Sequence, residues 1–227
     1  MSPNSSARSG IKAPPSCEPR PTQPNAFTAP TSRVVPGIVA IGTSTGGPKA
    51  LQEILPLLPE DLPVGILVVQ HIPAGFTGPL AKRLNELCRV RVHEVESGMT
   101  VERGHVYLAP AGKHMIVRRA ASGMFLQISA ARTTGIHVPS VDIMMLSVAA
   151  AFHSHAMGII MTGMGADGAL GMQAIFREGG LTVGQNESTC AVYGMPRVCA
   201  QMGILKRVVA LPEIPRQILS ALRCRTH

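Results

Sequence analysis

The chain has 227 residues, 45% of them hydrophobic, which is enough for one α/β domain with a sizeable core and too few for two full ones. Its net charge of +8 sits mainly at the ends: Arg8, Lys12, Arg20 and Arg33 against Glu18 before residue 36, and Lys206, Arg207, Arg216, Arg223 and Arg225 against Glu213 after residue 205. A nearly neutral middle, in a chain with no Trp, two Tyr and five Phe, argues against a nucleic-acid binder. No apolar run approaches the roughly 18 residues that span a bilayer, and no secretory signal opens the chain, so a soluble cytoplasmic protein is expected without membrane insertion.

The first 36 residues hold eight of the 19 prolines, many serines and no hydrophobic periodicity. Such a segment cannot repay its ordering entropy, so residues 1–35 are expected to be a disordered tail and 36–227 the folded domain. Short β-branched runs then alternate with helix-like stretches. The runs are 38–41, 64–69 and 157–161, and apolar residues recur at three- and four-residue spacing in 47–57, 76–88 and 168–178. Between about 90 and 130 the pattern is alternating, at 90–95, 106–108, 115–117 and 124–128, with Gly104, Gly112 and Gly123 between the segments. That reads as antiparallel hairpin structure. A helix over 140–152 follows, with Ser140 as its cap and Asp142 in its first turn. The expected fold is α/β, a mostly parallel, doubly wound, Rossmann-like sheet with an antiparallel hairpin insertion.

In an open parallel sheet, functional groups gather past the carboxyl ends of the strands, where helix N-termini face one crevice. The three strongest strands end in Gly42-Thr43-Ser44-Thr45-Gly46-Gly47, in Gln70-His71-Ile72-Pro73 and in Thr162-Gly163-Met164-Gly165-Ala166-Asp167-Gly168. They supply a serine, a histidine and an aspartate, the parts of a nucleophile, its base and the group that orients the base. Glycines at minus two and plus two around Ser44 suit the sharp strand-to-helix turn of a nucleophile elbow. The Thr45 amide is well placed to stabilise an oxyanion, and a second donor would come from the turn around Met164.

Other readings of the same residues stay open at this point. The glycine-rich turn could cradle a phosphate, although a dinucleotide site wants G-x-G-x-x-G and an acidic residue where His71 stands. His71 could be a hydrogen-bonded loop histidine, and Asp167 the N-cap of the helix that starts after it. A non-catalytic Rossmann-like module that binds a ligand or a receptor is the competing function. His153 and His155 lie two apart and so face different ways on a helix; His93, His105, His114 and His137 show no ligand spacing. Five scattered cysteines without a C-x-x-C pair read as reduced thiols, so neither metal nor cofactor is expected. The 12 methionines read as core filling.

Several motifs in one order go further. From about Pro36 to Leu211 the chain resembles the catalytic domain of the chemotaxis protein-glutamate methylesterases, the CheB family. The resemblance rests on the Ser44 and His71 turns with Gly75-Phe76-Thr77, on Gly104 to Pro110, on Pro139-Ser140-Val141-Asp142, on Thr162 to Ala169, and on Gly184 to Glu187 with Tyr193-Gly194-Met195-Pro196. It implies a serine hydrolase acting on glutamate methyl esters, and also on glutamines, of methylated chemoreceptors or similar helical signalling proteins. Matched motif by motif, Ser44 is the nucleophile, His71 the general base and Asp167 its orienting carboxylate, with the backbone amides of Thr45 and Met164 as oxyanion donors. Two departures stand out. About 35 residues cannot form the receiver domain of about 120 that familiar members carry ahead of this one, so a standalone esterase is expected. Val138 also replaces an arginine common before the Pro-Ser-Val-Asp motif, which is expected to alter substrate docking.

Overall fold

The structure is a computed structural model and describes Met1 and residues 37–121, 123–130 and 137–222. The tail expected at 1–35 therefore lies outside the described residues, as do Arg223 and Arg225. Two of the expected strands and their helices open the fold: β1 (Ile38–Thr43), α1 (Gly47–Ile54), β2 (Gly65–Gln70) and α2 (Thr77–Leu87). Next come β3 (Arg91–Glu94), β4 (His105–Leu108), β5 (Lys113–Ala120) and β6 (Gly123–Ala130). The remainder is α3 (Val141–Phe152), β7 (Ala156–Ile160), α4 (Ala169–Arg177), β8 (Leu181–Gln185), α5 (Met195–Gln201), β9 (Arg207–Val209) and α6 (Ile214–Leu222).

Seven strands form one sheet in the order β3-β4-β2-β1-β7-β8-β9, and every pairing in it is parallel. The middle strands are buried on both faces, which is why they read as unbroken apolar runs. Side chains alternate along β1: Val39 and Ile41 pack with Leu51 of α1, Leu84 of α2 and Ile218 of α6, whereas Ile38 and Ala40 pack with Met144 of α3, Met172 of α4 and Cys199 of α5. The sheet is thus doubly wound, with α1, α2 and α6 on one face and α3, α4 and α5 on the other.

One expectation is corrected. Of the alternating region between 90 and 130, only β5 and β6 form an antiparallel hairpin, whereas β3 and β4 join the edge of the parallel sheet. β3 alternates because an edge strand is half covered: Val92 is buried while Arg91 and Glu94 are exposed. Periodicity reports burial, not strand direction. The crossover 95–104 between the two strands has its backbone met by β6, through Gly98 N–H to Leu126 O at 2.7 Å, Leu126 N–H to Met99 O at 2.8 Å and Val101 N–H to Met124 O at 2.9 Å.

The chain winds outward from β1 to β2 on one side and starts again at β7 on the other. The crevice past the ends of β1 and β7 is therefore a topological switch point. Leu67, on β2 and fully buried, packs in the core that supports this edge. Leu67→Ala is expected to lower the unfolding free energy by about 3 kcal/mol, measured by urea denaturation at neutral pH.

Candidate active site

The strand order brings the three sequence-predicted residues to one edge. In the β1–β2 register Thr43 stands opposite Gln70, so Ser44 and His71 are the next residues of adjacent strands. Gln70, itself 3% exposed, ties the two turns together: its Nε2 donates to the carbonyls of both Ser44 (2.9 Å) and His71 (2.7 Å). From the other side Thr162, at the end of β7, fastens the same turn. Its carbonyl accepts from the Ser44 N–H (3.0 Å) and the Thr43 hydroxyl (3.1 Å), and its hydroxyl donates to Thr45 O (2.9 Å). Gly46 closes the turn at φ +82°, in the left-handed region that a side chain disfavours. A Cβ on Gly163 would lie 2.7 Å from the Ser44 Cβ, so the loop after β7 passes directly beside the serine.

His71 Nε2 lies 2.8 Å from Asp167 Oδ2, with the two side chains only 10% and 7% exposed. Burial alone would raise the Asp167 carboxyl. Hydrogen bonds from His71, from the Asp142 and Val141 amides and from the Ser140 hydroxyl outweigh it and hold the pKa down at about 2. An ionised carboxylate can only accept, so Nε2 of His71 carries the hydrogen and Nδ1 is left as an acceptor. That Nδ1 is buried and has no hydrogen-bond partner. Among the described residues, no hydrogen bond is donated by the backbone N–H of Thr45 or of Met164, and the Met164 side chain is exposed.

Asp167 does cap a helix, but not the one that follows it. α4 starts from Gly168 without a side-chain cap. The Asp167 carboxylate instead accepts from the N–H groups of Val141 (2.8 Å) and Asp142 (2.9 Å) and from Ser140 Oγ (2.9 Å), all at the N-terminus of α3. Asp142 returns the arrangement by accepting from Gly171 N–H of α4 at 2.8 Å. Burial pushes the Asp142 carboxyl up, against the pull of the Gly171 amide. The N-terminus of α3 thus receives a carboxylate from Asp167 in the loop before α4, and the first turn of α4 receives one from Asp142 of α3. Ser140 keeps its expected role as well, accepting from Ile143 N–H at 3.3 Å.

Of the other histidines, for which no ligand role is expected, His153, His93 and His105 stand apart from this group, whereas His114 and His137 touch it. His153 pairs with Glu178 at 2.9 Å, and His93 Nε2 lies 3.3 Å from His105 Nδ1 near the sheet edge. His114 is buried and accepts from Ser140 N–H at 3.2 Å; burial lowers its pKa and the Asp167 charge pulls it back up. Among the described residues no three His, Cys, Asp or Glu side chains cluster as a metal site would require, and no helix is long and apolar enough to cross a membrane. Sequence reasoning assigned no role to His137, whose ring stacks on that of His71 with centroids 4.3 Å apart.

The site's shape has counterparts. A family model described as CheB methylesterase matches residues 39–218. The chain is 46% identical over 182 residues to a protein-glutamate methylesterase/protein-glutamine glutaminase 2 of Hahella chejuensis, covering 80% of this chain and 49% of that one. It is 44% identical over 189 residues to a protein-glutamate methylesterase/protein-glutamine glutaminase of Archaeoglobus fulgidus, covering 83% and 54%. The crystal structure of the Thermotoga maritima CheB methylesterase catalytic domain superposes with a TM-score of 0.79 at 35% identity, covering 82% of this chain and 99% of that one. The chain spans about half the length of the curated relatives it matches.

The low pKa of Asp167 makes a stability prediction with a definite sign. Its folded value lies below the ordinary carboxyl value near 3.9, so its contribution is full above about pH 5 and is lost as pH falls toward 2. Asp167→Asn is expected to be less stable than the wild type by roughly 2 kcal/mol at pH 7, with the gap narrowing below about pH 4. Urea midpoints of the two proteins across that range check it.

Proposed function

The chain belongs to the CheB methylesterase family, and from that premise we propose that it is a serine hydrolase that removes methyl groups from glutamate side chains of chemoreceptor-like helical proteins. The same acyl chemistry extends to glutamine side chains, with ammonia in place of methanol as leaving group. The observation that carries the reading is the His71–Asp167 pair, held at 2.8 Å beside the Ser44 turn with the His71 Nδ1 free to accept a proton.

In the proposed reaction Ser44 Oγ attacks the γ-carbonyl of a glutamyl methyl ester as His71 Nδ1 takes its proton. The imidazolium so formed is stabilised through Nε2 by the ionised Asp167, which keeps its own proton deficit throughout. Negative charge on the former carbonyl oxygen is met by the Thr45 and Met164 amides, whose N–H groups are not used elsewhere among the described residues. His71 then returns the proton to the departing methoxide, and methanol leaves an acyl-serine ester. Water, deprotonated by the same Nδ1, attacks that ester and restores Ser44, releasing the glutamate carboxyl. A purely binding module has no need for a buried, unpartnered acceptor on a histidine whose other nitrogen is pinned to a carboxylate, so the catalytic reading is favoured.

Methanol release from methylated receptor membranes tests this reading. Ser44→Ala is expected to abolish release and His71→Ala to come close to it. Asp167→Asn is expected to retain more activity than either, because a group that orients the base contributes less than the base. Equal release by the wild type and Ser44→Ala would sink the nucleophile assignment. Gly163→Ala offers an independent check: a Cβ 2.7 Å from that of Ser44 forces the turn apart, so kcat should fall by about a hundredfold.

A further inference from the structure

The Asp167 bond fixes only part of the His71 ring. It holds Nε2, but the Cβ–Cγ torsion of histidine has a broad profile. Rotation about that torsion carries both nitrogens on arcs, the arc of Nε2 being the smaller because it lies closer to the axis, so a bond at Nε2 alone limits the tilt of the ring without setting it. The nitrogen that must receive the serine proton has the larger arc and no hydrogen bond of its own. Something else has to fix the plane of the ring.

His137 is placed to do so. Its ring lies over His71 with centroids 4.3 Å apart and planes inclined by 16°, a stacked pair. The backbone just after it is anchored: Val138 O accepts from Gly112 N–H at 3.2 Å, Ser140 N–H donates to His114 at 3.2 Å, and the Ser140 hydroxyl and Val141 amide are bound to Asp167. One short segment, 137–141, therefore covers the face of the base and also supplies donors to the carboxylate. His137 itself is exposed, so its ring adds little to the hydrophobic core.

We propose that His137 is a positioning residue for the general base: its stacked ring fixes the plane of His71 and so keeps Nδ1 directed at Ser44. The inference rests on the hydrolase reading of the site. It requires an aromatic face at position 137 and not the imidazole nitrogens, and it assigns to His137 an effect on turnover and not on substrate affinity.

Steady-state methanol release from methylated receptor membranes by the wild type, His137→Ala, His137→Phe and Ser44→Ala tests it. His137→Ala is expected to lower kcat about tenfold while KM changes by less than about twofold, since a misaimed base loses rate without losing binding. His137→Phe, which keeps the stack, should recover kcat to within about threefold of the wild type. Thermal midpoints should stay at the wild-type value, as expected for an exposed position. An unchanged kcat in His137→Ala, or a His137→Phe variant as slow as His137→Ala, would overturn the proposal. Ser44→Ala separates the two levels: if it is inactive while His137→Ala is normal, only the positioning role fails, whereas an active Ser44→Ala removes the hydrolase reading itself.

Discussion

The arrangement past the ends of the central strands depends on one carboxylate being charged and fully satisfied. Asp167 takes hydrogen bonds from His71 Nε2, the Val141 and Asp142 amides and the Ser140 hydroxyl, and so joins the loop after β7, the turn after β2 and the start of α3. Burying a carboxylate is costly unless its lone pairs are occupied, and here four donors occupy them. The helix end contributes twice, through its free N–H groups and through the partial positive charge they carry. The carboxylate thereby stays ionised although burial opposes it.

That dependence runs in both directions. The first-turn amides of α3 would be without partners if Asp167 were absent, and His71 would lose both its orientation and its tautomer. A group that caps a helix and one that holds a histidine ring are often different residues; here they share an oxygen atom, since Oδ2 accepts from Val141 N–H and from His71 Nε2 together. Asp142 extends the coupling, because its carboxylate holds Gly171 in the first turn of the helix that follows Asp167. The N-terminal turns of α3 and α4 are locked to each other by this exchange, which fixes Asp167 between β7 and α4.

What the sequence made legible follows from how local each signal is. The three central strands are buried on both faces, so their apolar runs were readable, and their adjacency turned three separate turns into one site. The direction of β3 was not readable, because half burial at a sheet edge gives the same alternation in either orientation, and β4, an interior strand of four residues, is too short for its pattern to report one. Asp167 carried a recognisable cap signal, yet the helix it caps is α3, which ends well before it in sequence; no local pattern reports that. Gln70 and Thr162 left a weak trace as buried polar residues at the ends of apolar runs. His137 left none, since stacking on His71 exists only once the segment before α3 is folded against the end of β2.

The order of the catalytic candidates in the chain also follows from the sheet. Ser44 leaves β1, His71 leaves β2 on one side of it, and Asp167 follows β7 on the other. The strands flanking β1 stand about 9.6 Å apart, twice the interstrand spacing, so a base from one and a carboxylate from the other can meet only by reaching over the end of β1. The 2.8 Å contact between His71 and Asp167 is that reach, and it leaves the Ser44 turn between the elements that supply them. The order Ser, His, Asp is therefore a property of strands β2-β1-β7, and it differs from the Ser, Asp, His order of α/β-hydrolases because a different sheet positions the same three groups. The glycine-flanked turn is common to both because any sharp strand-to-helix turn that lifts its central residue clear of a parallel sheet meets the same steric limits on either side of that residue.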